Sequence, residues 1–187
     1  FIDLLDLLDI SNDDFIRTAV DPRHFTGASR LWEAMEARGD LYKKSYQGLY
    51  CVGCEQFYTE DELIDGLCPE HGVRPDLVEE ENYFFRLSRY QDELLEFIDS
   101  GRLRIIPEAR RNEVRAFVAR GLDDFSVSRS RERARGWGVP VPNDPDQVMY
   151  VWVDALANYI TALGYGQEDE RYSRYWINTR ERVHCIG

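Results

Sequence analysis

The sequence predicts an α/β fold, with mixed strands and a metal-binding knuckle in the middle of the chain and a βαβ unit of a parallel sheet at its end. Residues 148–153 form a near-continuous apolar run, which is typical of a strand buried on both faces of a parallel sheet. A helical stretch at 155–163 and a second apolar run at 183–186 follow, so this end of the chain predicts a βαβ unit. Cysteine pairs with metal-ligand spacing stand nearer the middle, between residues 51 and 71.

Capping and stop residues divide the chain into its other elements. Ser, Asn and Asp side chains accept hydrogen bonds from the free N–H groups of a helix's first turn, and Gly ends helices because it adopts the left-handed backbone readily. The three prolines of 136–145 exclude a regular helix there. In chain order we predict a helix over 1–9, a strand or its approach over 13–18, a helix from Ser29 to about Arg38, strands within 46–59, helices from Ser88 to before Gly101 and from Asn112 to before Gly121, and a helix capped by Asp154 and continuing to Leu163.

Composition and charge exclude several classes of protein. The net charge is −12, which argues against a general basic surface for nucleic acid but leaves room for a few local arginine contacts. No apolar run approaches the roughly 18 residues that a membrane span needs, so we expect no membrane association. The cysteine usage and the lack of a secretory leader predict the cytoplasm. The chain opens without Met in an acidic amphipathic pattern and closes in an apolar run, so we expect an internal piece of a longer protein.

The cysteine pairs predict a zinc site. Two residues separate Cys51 from Cys54, and after 13 intervening residues Cys68 and His71 repeat that gap. Three thiolates and one imidazole make a closed tetrahedral set, which is typical of structural zinc and excludes calcium and magnesium. We expect Gly53 to permit the sharp turn of the first pair. The alternatives are a knuckle without metal and a disulfide, which the cytoplasm disfavours. The remaining cysteine, at position 185, is expected to be a small core residue.

A series of motifs runs through the whole chain in order. They are Asp14–Thr18, Gly48–Cys51, the knuckle, Glu80–Ser88, Arg111–Val114, Gly121–Arg129, Trp137–Pro142, Tyr150–Tyr159 and His184–Gly187. The series resembles the methionyl-tRNA synthetases, a family of class I aminoacyl-tRNA synthetases. The Trp137–Pro142 block alone would also suit the synthetases for leucine, isoleucine or valine. The single knuckle and the Tyr-Val-Trp-x-Asp-Ala-Leu sequence favour methionine, and about 100 residues between the two sheet segments is too short for the editing insertion of those other synthetases.

The resemblance implies an architecture. It implies a partial Rossmann-type catalytic domain, interrupted by a mixed α+β connective domain that carries the zinc knuckle. On this basis residues 1–42 end the first half of the catalytic domain, and residues 43–147 are the connective domain, with the knuckle at about 47–75. Residues 148–187 then begin the second half.

The resemblance also implies the site residues. Trp152, Ala155, Leu156 and Tyr159 would line a methionine pocket, where aromatic edges favour a polarizable thioether and a small Ala leaves room for an unbranched side chain. The pattern alone equally suits an amphipathic helix packed on a sheet, with Trp and Tyr in the core. The remaining site residues implied are His184, Ile186 and Gly187 for ATP, and Arg129 near the reacting groups.

The implied activity belongs to the longer protein. That protein would activate methionine with ATP, which is supplied with Mg²⁺, and transfer it from methionyl-AMP to tRNA(Met). The family's two phosphate-binding motifs, His-Ile-Gly-His and Lys-Met-Ser-Lys-Ser, are absent, because the His residues stand at 24, 71 and 184 and the only Lys residues at 43 and 44. We therefore expect this chain to be inactive alone. The alternatives are a non-catalytic zinc-knuckle module that binds RNA or protein, and a divergent class I synthetase paralogue. The oligomeric state stays open.

Overall fold

Two antiparallel sheets and several helices make up the part of the chain that the computed structural model describes, which is residues 2–54 and 56–186, with only the backbone of Tyr46. The helices are α1 (Ile2–Leu7), α2 (Pro22–Ala37), α3 (Gln91–Asp99), α4 (Glu108–Ala119), α5 (Val151–Thr161) and α6 (Glu170–Tyr172). The strands are β1 (Leu41–Cys51), β2 (Gln56–Tyr58), β3 (Asp76–Phe85), β4 (Phe125–Ser126), β5 (Ser128–Ser130), β6 (Pro140–Val141) and β7 (Asp144–Met149). Short 3₁₀ turns lie at Glu60–Glu62 and Leu87–Tyr90, and a π-helical turn at Ser173–Ile177.

The larger sheet carries the knuckle at one end. Its strand order is β2-β1-β3-β4, and each neighbouring pair is antiparallel. β1 and β3 pair along ten positions, from Leu41 opposite Phe85 to Tyr50 opposite Asp76. Cys51 ends β1, so the long ladder delivers the first knuckle cysteine to the tip of the sheet.

The main core lies between the smaller sheet and the helices α2 and α5. The smaller sheet has the order β5-β7-β6, again antiparallel throughout. Its buried side chains pack against one face of each helix, and this apolar burial is the main stabilising term. The buried members of this core are Ala28, Trp32, Val127, Val139, Val141, Met149 and Ala157. A separate small core, with Ile98, Val118 and Leu122, joins α3 to α4.

The α/β class is confirmed, but the predicted βαβ unit is wrong. The apolar run 148–153 splits: β7 ends at Met149, Tyr150 is the extended N-cap, and α5 begins at Val151. A continuous apolar run does not distinguish a buried strand from a buried helix, and here it contains the junction of the two. Residues 183–186 form no strand, and Val183 and Ile186 are exposed. All strand pairs found within the described ranges are antiparallel.

Several predicted element boundaries also change. The helix over 1–9 and the helix-ending positions Gly39, Gly101 and Gly121 are confirmed, and these glycines have positive φ. The predicted strand over 13–18 is wrong, because these residues are irregular. All four predicted N-caps are wrong: α2 begins at Pro22 rather than at Ser29, Ser88 lies in a 3₁₀ turn, α4 begins at Glu108 rather than at Asn112, and α5 is capped by Tyr150 rather than by Asp154.

The early start of α2 has a local cause, whereas Ser88 is held by a distant residue. Asp21 caps α2 by accepting a 2.9 Å hydrogen bond from the Arg23 N–H, and Pro22 occupies the first helical position, where its missing N–H costs nothing. The Ser88 hydroxyl instead donates a hydrogen bond of 2.6 Å to the Asp124 carboxylate.

Within the described ranges, no helix has the length and apolarity to cross a membrane.

Candidate metal centre and candidate substrate face

Four predicted ligands meet at the tip of the larger sheet. One donor atom from each of Cys51, Cys54, Cys68 and His71 lies within 4.8 Å of all the others. The Cys54 Sγ is 3.5 Å from the Cys51 Sγ, 3.2 Å from the Cys68 Sγ and 3.0 Å from the His71 Nδ1. The His71 Nδ1 is 3.9 Å from each of the other two sulfurs. All three cysteines are free thiols, which contradicts the disulfide alternative.

The donor set fits a tetrahedral metal ion. Ligands held at zinc–sulfur and zinc–nitrogen distances would lie about 3.5–3.8 Å from one another, close to the spacings found. The phenol of Tyr58 donates to the Cys54 Sγ at 3.2 Å, a supporting bond that the sequence analysis missed. Burial acts to raise the pKa of the Cys68 thiol, but hydrogen bonds, the largest of them from the His71 backbone N–H, lower it below its ordinary value. The cluster can therefore hold a metal ion that prefers thiolates.

The two knuckle glycines serve different purposes. Gly72 has a φ of +61°, so the turn after the second pair does require a residue that tolerates the left-handed region. Gly53, by contrast, is not among the residues with positive φ. A Cβ at Gly53 would stand 2.9–3.0 Å from three atoms of the His71 ring. The expected reason for Gly53, a sharp turn, is therefore wrong, and the close approach of the ligand imidazole explains the glycine instead.

The four residues predicted for methionine share one face of α5. Trp152, Ala155, Leu156 and Tyr159 follow the spacing of a single helical stripe. Trp152 is 62% exposed, Leu156 61% and Tyr159 48%, whereas Asp154 and Ala157 on the opposite side are buried. The alternative in which Trp and Tyr belong to the core is wrong, because this stripe faces outward. Trp152 also lies on the helix and not, as expected, at the end of a strand.

The stripe leads into a cavity that also contains His184. The cavity has a volume of about 530 Å³, and Tyr159, Trp176 and His184 stand in its lining. The rings of Tyr159 and His184 meet edge to face with centroids 4.8 Å apart, and the Trp176 ring is 6.4 Å from that of His184. The structure thus brings one residue predicted for methionine against one predicted for ATP. Trp176 was not predicted, and no local motif marks it.

Ile186 and Gly187 were predicted for the nucleotide together with His184. Ile186 is almost fully exposed, and Gly187 lies outside the described residues. Cys185 is exposed, so the expectation that it belongs to the core is wrong, because 183–186 is not a buried strand.

Arg129 lies in a cluster of aromatic rings directly before α5. Its guanidinium carbon is 4.4 Å from the centroid of the Tyr150 ring and 4.8 Å from that of Tyr50, and the residue is largely buried. Cation–π attraction is strongest for such desolvated guanidinium groups. Arg129 also borders a cavity of about 350 Å³, together with Arg133. The structure therefore places a positive charge between the knuckle end of β1 and the start of the exposed stripe.

Comparisons with known proteins agree over nearly the whole chain. A family model described as class I tRNA synthetases (M) matches residues 1–74 and 71–187. A methionine–tRNA ligase of Caldanaerobacter subterraneus is 47% identical over 186 residues, which are 99% of this chain and 28% of that protein. A methionine–tRNA ligase of Brucella suis is 48% identical over 189 residues, 98% of this chain and 35% of that protein.

A solved structure shows the same fold. The Mycobacterium tuberculosis methionyl-tRNA synthetase bound by methionyl-adenylate superposes with a TM-score of 0.82 at 47% identity, covering 94% of this chain and 35% of that one. The apo form of the same enzyme gives a TM-score of 0.79. The chain thus spans about a third of the length of the relatives that it matches.

Proposed function

The chain belongs to the class I tRNA synthetases of the methionyl type, and from that membership we propose that it forms part of an enzyme that joins methionine to tRNA(Met). In the proposed reaction the methionine carboxylate attacks the α-phosphate of ATP, pyrophosphate leaves, and a tRNA ribose hydroxyl then takes the methionyl group from methionyl-AMP. The observation that carries the proposal is the exposed aromatic stripe of α5, which ends against His184.

The stripe is suited to a thioether side chain. Trp152 and Tyr159 offer polarizable ring edges, and Leu156 adds apolar surface between them. The small side chain of Ala155 leaves space in the middle of the stripe for an unbranched substrate side chain. In this proposal His184, Ile186 and Gly187 contact the nucleotide that arrives from the other side of the cavity.

Arg129 is proposed as the cationic group of this chain that acts near the reacting groups. It stacks on Tyr150, the residue that caps α5, so its charge is held at the start of the methionine stripe. A fixed positive charge stabilises negative charge that builds up on phosphate oxygens during the transfer. The Mg²⁺ that accompanies ATP supplies further charge neutralisation when the nucleotide is bound.

The knuckle is proposed as a structural zinc site. Cys51, Cys54, Cys68 and His71 would use all four positions of a tetrahedral ion, which leaves none for water or substrate. The ion would hold the tip of the larger sheet together, where the described residues form only a small apolar cluster around Tyr58. Cysteine thiols stay reduced in the cytoplasm, and we propose that the protein is cytoplasmic.

We propose the domain division 1–42, 43–147 and 148–187, with the first and last segments as parts of one Rossmann-type catalytic domain. The middle segment would be the connective domain. The missing His-Ile-Gly-His and Lys-Met-Ser-Lys-Ser sequences would be supplied by the rest of the longer protein. On its own this chain would bind ATP phosphates too poorly for catalysis.

The experiment is amino-acid-dependent ATP–pyrophosphate exchange by the full-length protein that contains these 187 residues, with Trp152→Ala beside the wild type. Loss of the largest exposed ring of the stripe should raise KM for methionine at least tenfold, equivalent to about 1.4 kcal/mol. Phe117→Ala is the matched control, because Phe117 is a similarly exposed ring on α4. An unchanged methionine KM in Trp152→Ala would refute the pocket.

A further inference from the structure

A buried polar network joins α2 to α5 behind the methionine stripe. The imidazole of His24 is fully buried, with its Nε2 2.9 Å from Asp154 Oδ1 and its Nδ1 2.9 Å from Thr161 Oγ1. Asp154 and Thr161 are themselves 3% and 0% exposed. A carboxylate only accepts, so the Nε2–H donates to Asp154, while Nδ1 and the Thr161 hydroxyl are hydrogen-bonded to each other. Both ring nitrogens are therefore satisfied within the core.

The two partners of His24 lie two helical turns apart on the same face of α5. A single hydrogen bond to a helix leaves it free to rotate or slide, but two bonds from one rigid ring to residues seven apart fix both movements. The helices also touch here, because a Cβ added at Gly27 would be only 2.5 Å from Thr161 Cγ2. The network therefore sits at the crossing point of α2 and α5, where nothing larger than glycine fits between them.

We propose that His24 is a positioning residue for methionine binding, which fixes the rotation and the axial position of α5 and so aims the stripe of Trp152, Leu156 and Tyr159 at the substrate. Asp154 stands two residues after the exposed Trp152 but points the opposite way, into the core. A rotation of α5 that breaks the bond to His24 moves the stripe by the same angle. Since misplacement of binding groups by about 1 Å is costly, the network matters for substrate affinity as well as for stability. This inference rests on the proposed function, because it assigns a role in the methionine site.

The test uses ATP–pyrophosphate exchange by the full-length protein, with KM for methionine and KM for ATP measured separately. Thr161→Val keeps the side-chain shape and removes one of the two bonds, and His24→Gln keeps only an amide that can reach Asp154. Each variant should raise KM for methionine about tenfold or more and leave KM for ATP within about twofold. Tyr90→Phe is the control, since it removes a 2.5 Å hydrogen bond to buried Asp40, away from α5.

A merely structural role gives a different result. Loss of stability alone would lower the melting temperature and leave both KM values unchanged below it, or would change the two KM values together. Either result in Thr161→Val overturns the proposal, and this variant decides the matter even if His24→Gln does not fold. The proposal is supported only if the control, Tyr90→Phe, leaves KM for methionine unchanged.

Failure of the proposed function is visible separately. If the wild type shows no methionine-dependent exchange, the proposed reaction is wrong, and amide hydrogen exchange on the same proteins still tests the positioning role. Thr161→Val should then accelerate exchange of the α5 amides at least tenfold while leaving α3 unchanged. Equal exchange of α5 in the wild type and Thr161→Val would refute the fixing of the helix.

Discussion

Replacement of Gly53 by alanine tests the geometry of the metal centre without touching a ligand. The new methyl group would stand 2.9 Å from the His71 Cδ2 and 3.0 Å from two further ring atoms, whereas ordinary contacts begin near 3.4 Å. The imidazole must therefore retreat by about 0.5 Å. Metal–ligand distances tolerate about 0.2 Å, so the ring cannot clear the methyl group and keep an ideal bond to the ion.

The expected result is weaker metal binding in a protein that otherwise folds. Because the φ of Gly53 lies outside the positive range, alanine adds no backbone strain there, and the effect comes from His71 alone. We expect the zinc dissociation constant to rise by roughly 10–100-fold, the range seen when the support of a metal ligand is removed. The assay is competition against a chromophoric chelator at constant pH, with metal content measured in parallel.

Val52→Ala is the matched control for this substitution. Val52 lies beside Gly53 in the same turn, and its side chain is exposed, so its truncation should leave the zinc affinity unchanged. An affinity for zinc in Gly53→Ala equal to that of the wild type would refute the reasoning, because it would show that the His71 ring does not need the space above Gly53.

Three further predictions concern stability. Gly27→Ala should lower the free energy of unfolding by about 1–3 kcal/mol in urea titrations, because its methyl group would lie 2.5 Å from Thr161 Cγ2; a protein as stable as the wild type would contradict the close crossing. The hydrogen bond from the Arg23 side chain lowers the pKa of Asp21 below 3.8, so its stabilisation is present above that value and is lost as the pH falls through the lower, folded-state pKa. Asp21→Asn should therefore reduce the loss of stability below about pH 4, and a dependence of unfolding free energy on pH equal to that of the wild type would refute this. A strong chelator should speed amide exchange in the knuckle around Cys51 and leave α5 protected, and equal protection of the knuckle with and without chelator would contradict a structural metal.

The features that the sequence predicted correctly are those with a local cause. The ligand cluster follows from the spacing of four residues within one short segment. The face of α5 shared by Trp152, Ala155, Leu156 and Tyr159 follows from their spacing on one helix. Gly39, Gly101 and Gly121 end helices because the left-handed conformation at each position is a property of the residue itself. None of these depends on which distant segment packs alongside.

The features that the sequence missed depend on distant contacts. Asp154 was expected to cap a helix, a choice that its local pattern favours, but its partner is His24, 130 positions away. Ser88 satisfies the pattern of a capping box and instead bonds to Asp124, which belongs to a later loop. Within the apolar run at 148–153, Val148 and Met149 are buried on β7, where they lie beside β5 and β6, but Trp152 on α5 is 62% exposed.

The methionine-dependent reaction is the central claim, and ATP–pyrophosphate exchange with methionine, leucine, isoleucine and valine tests it most directly. The full-length protein should exchange with methionine at least a hundredfold more efficiently than with the other three, and the 187-residue chain should show no exchange above background. A full-length protein that is silent with methionine, or that prefers another of these amino acids, would contradict the account and would favour a divergent synthetase or a zinc-knuckle binding module.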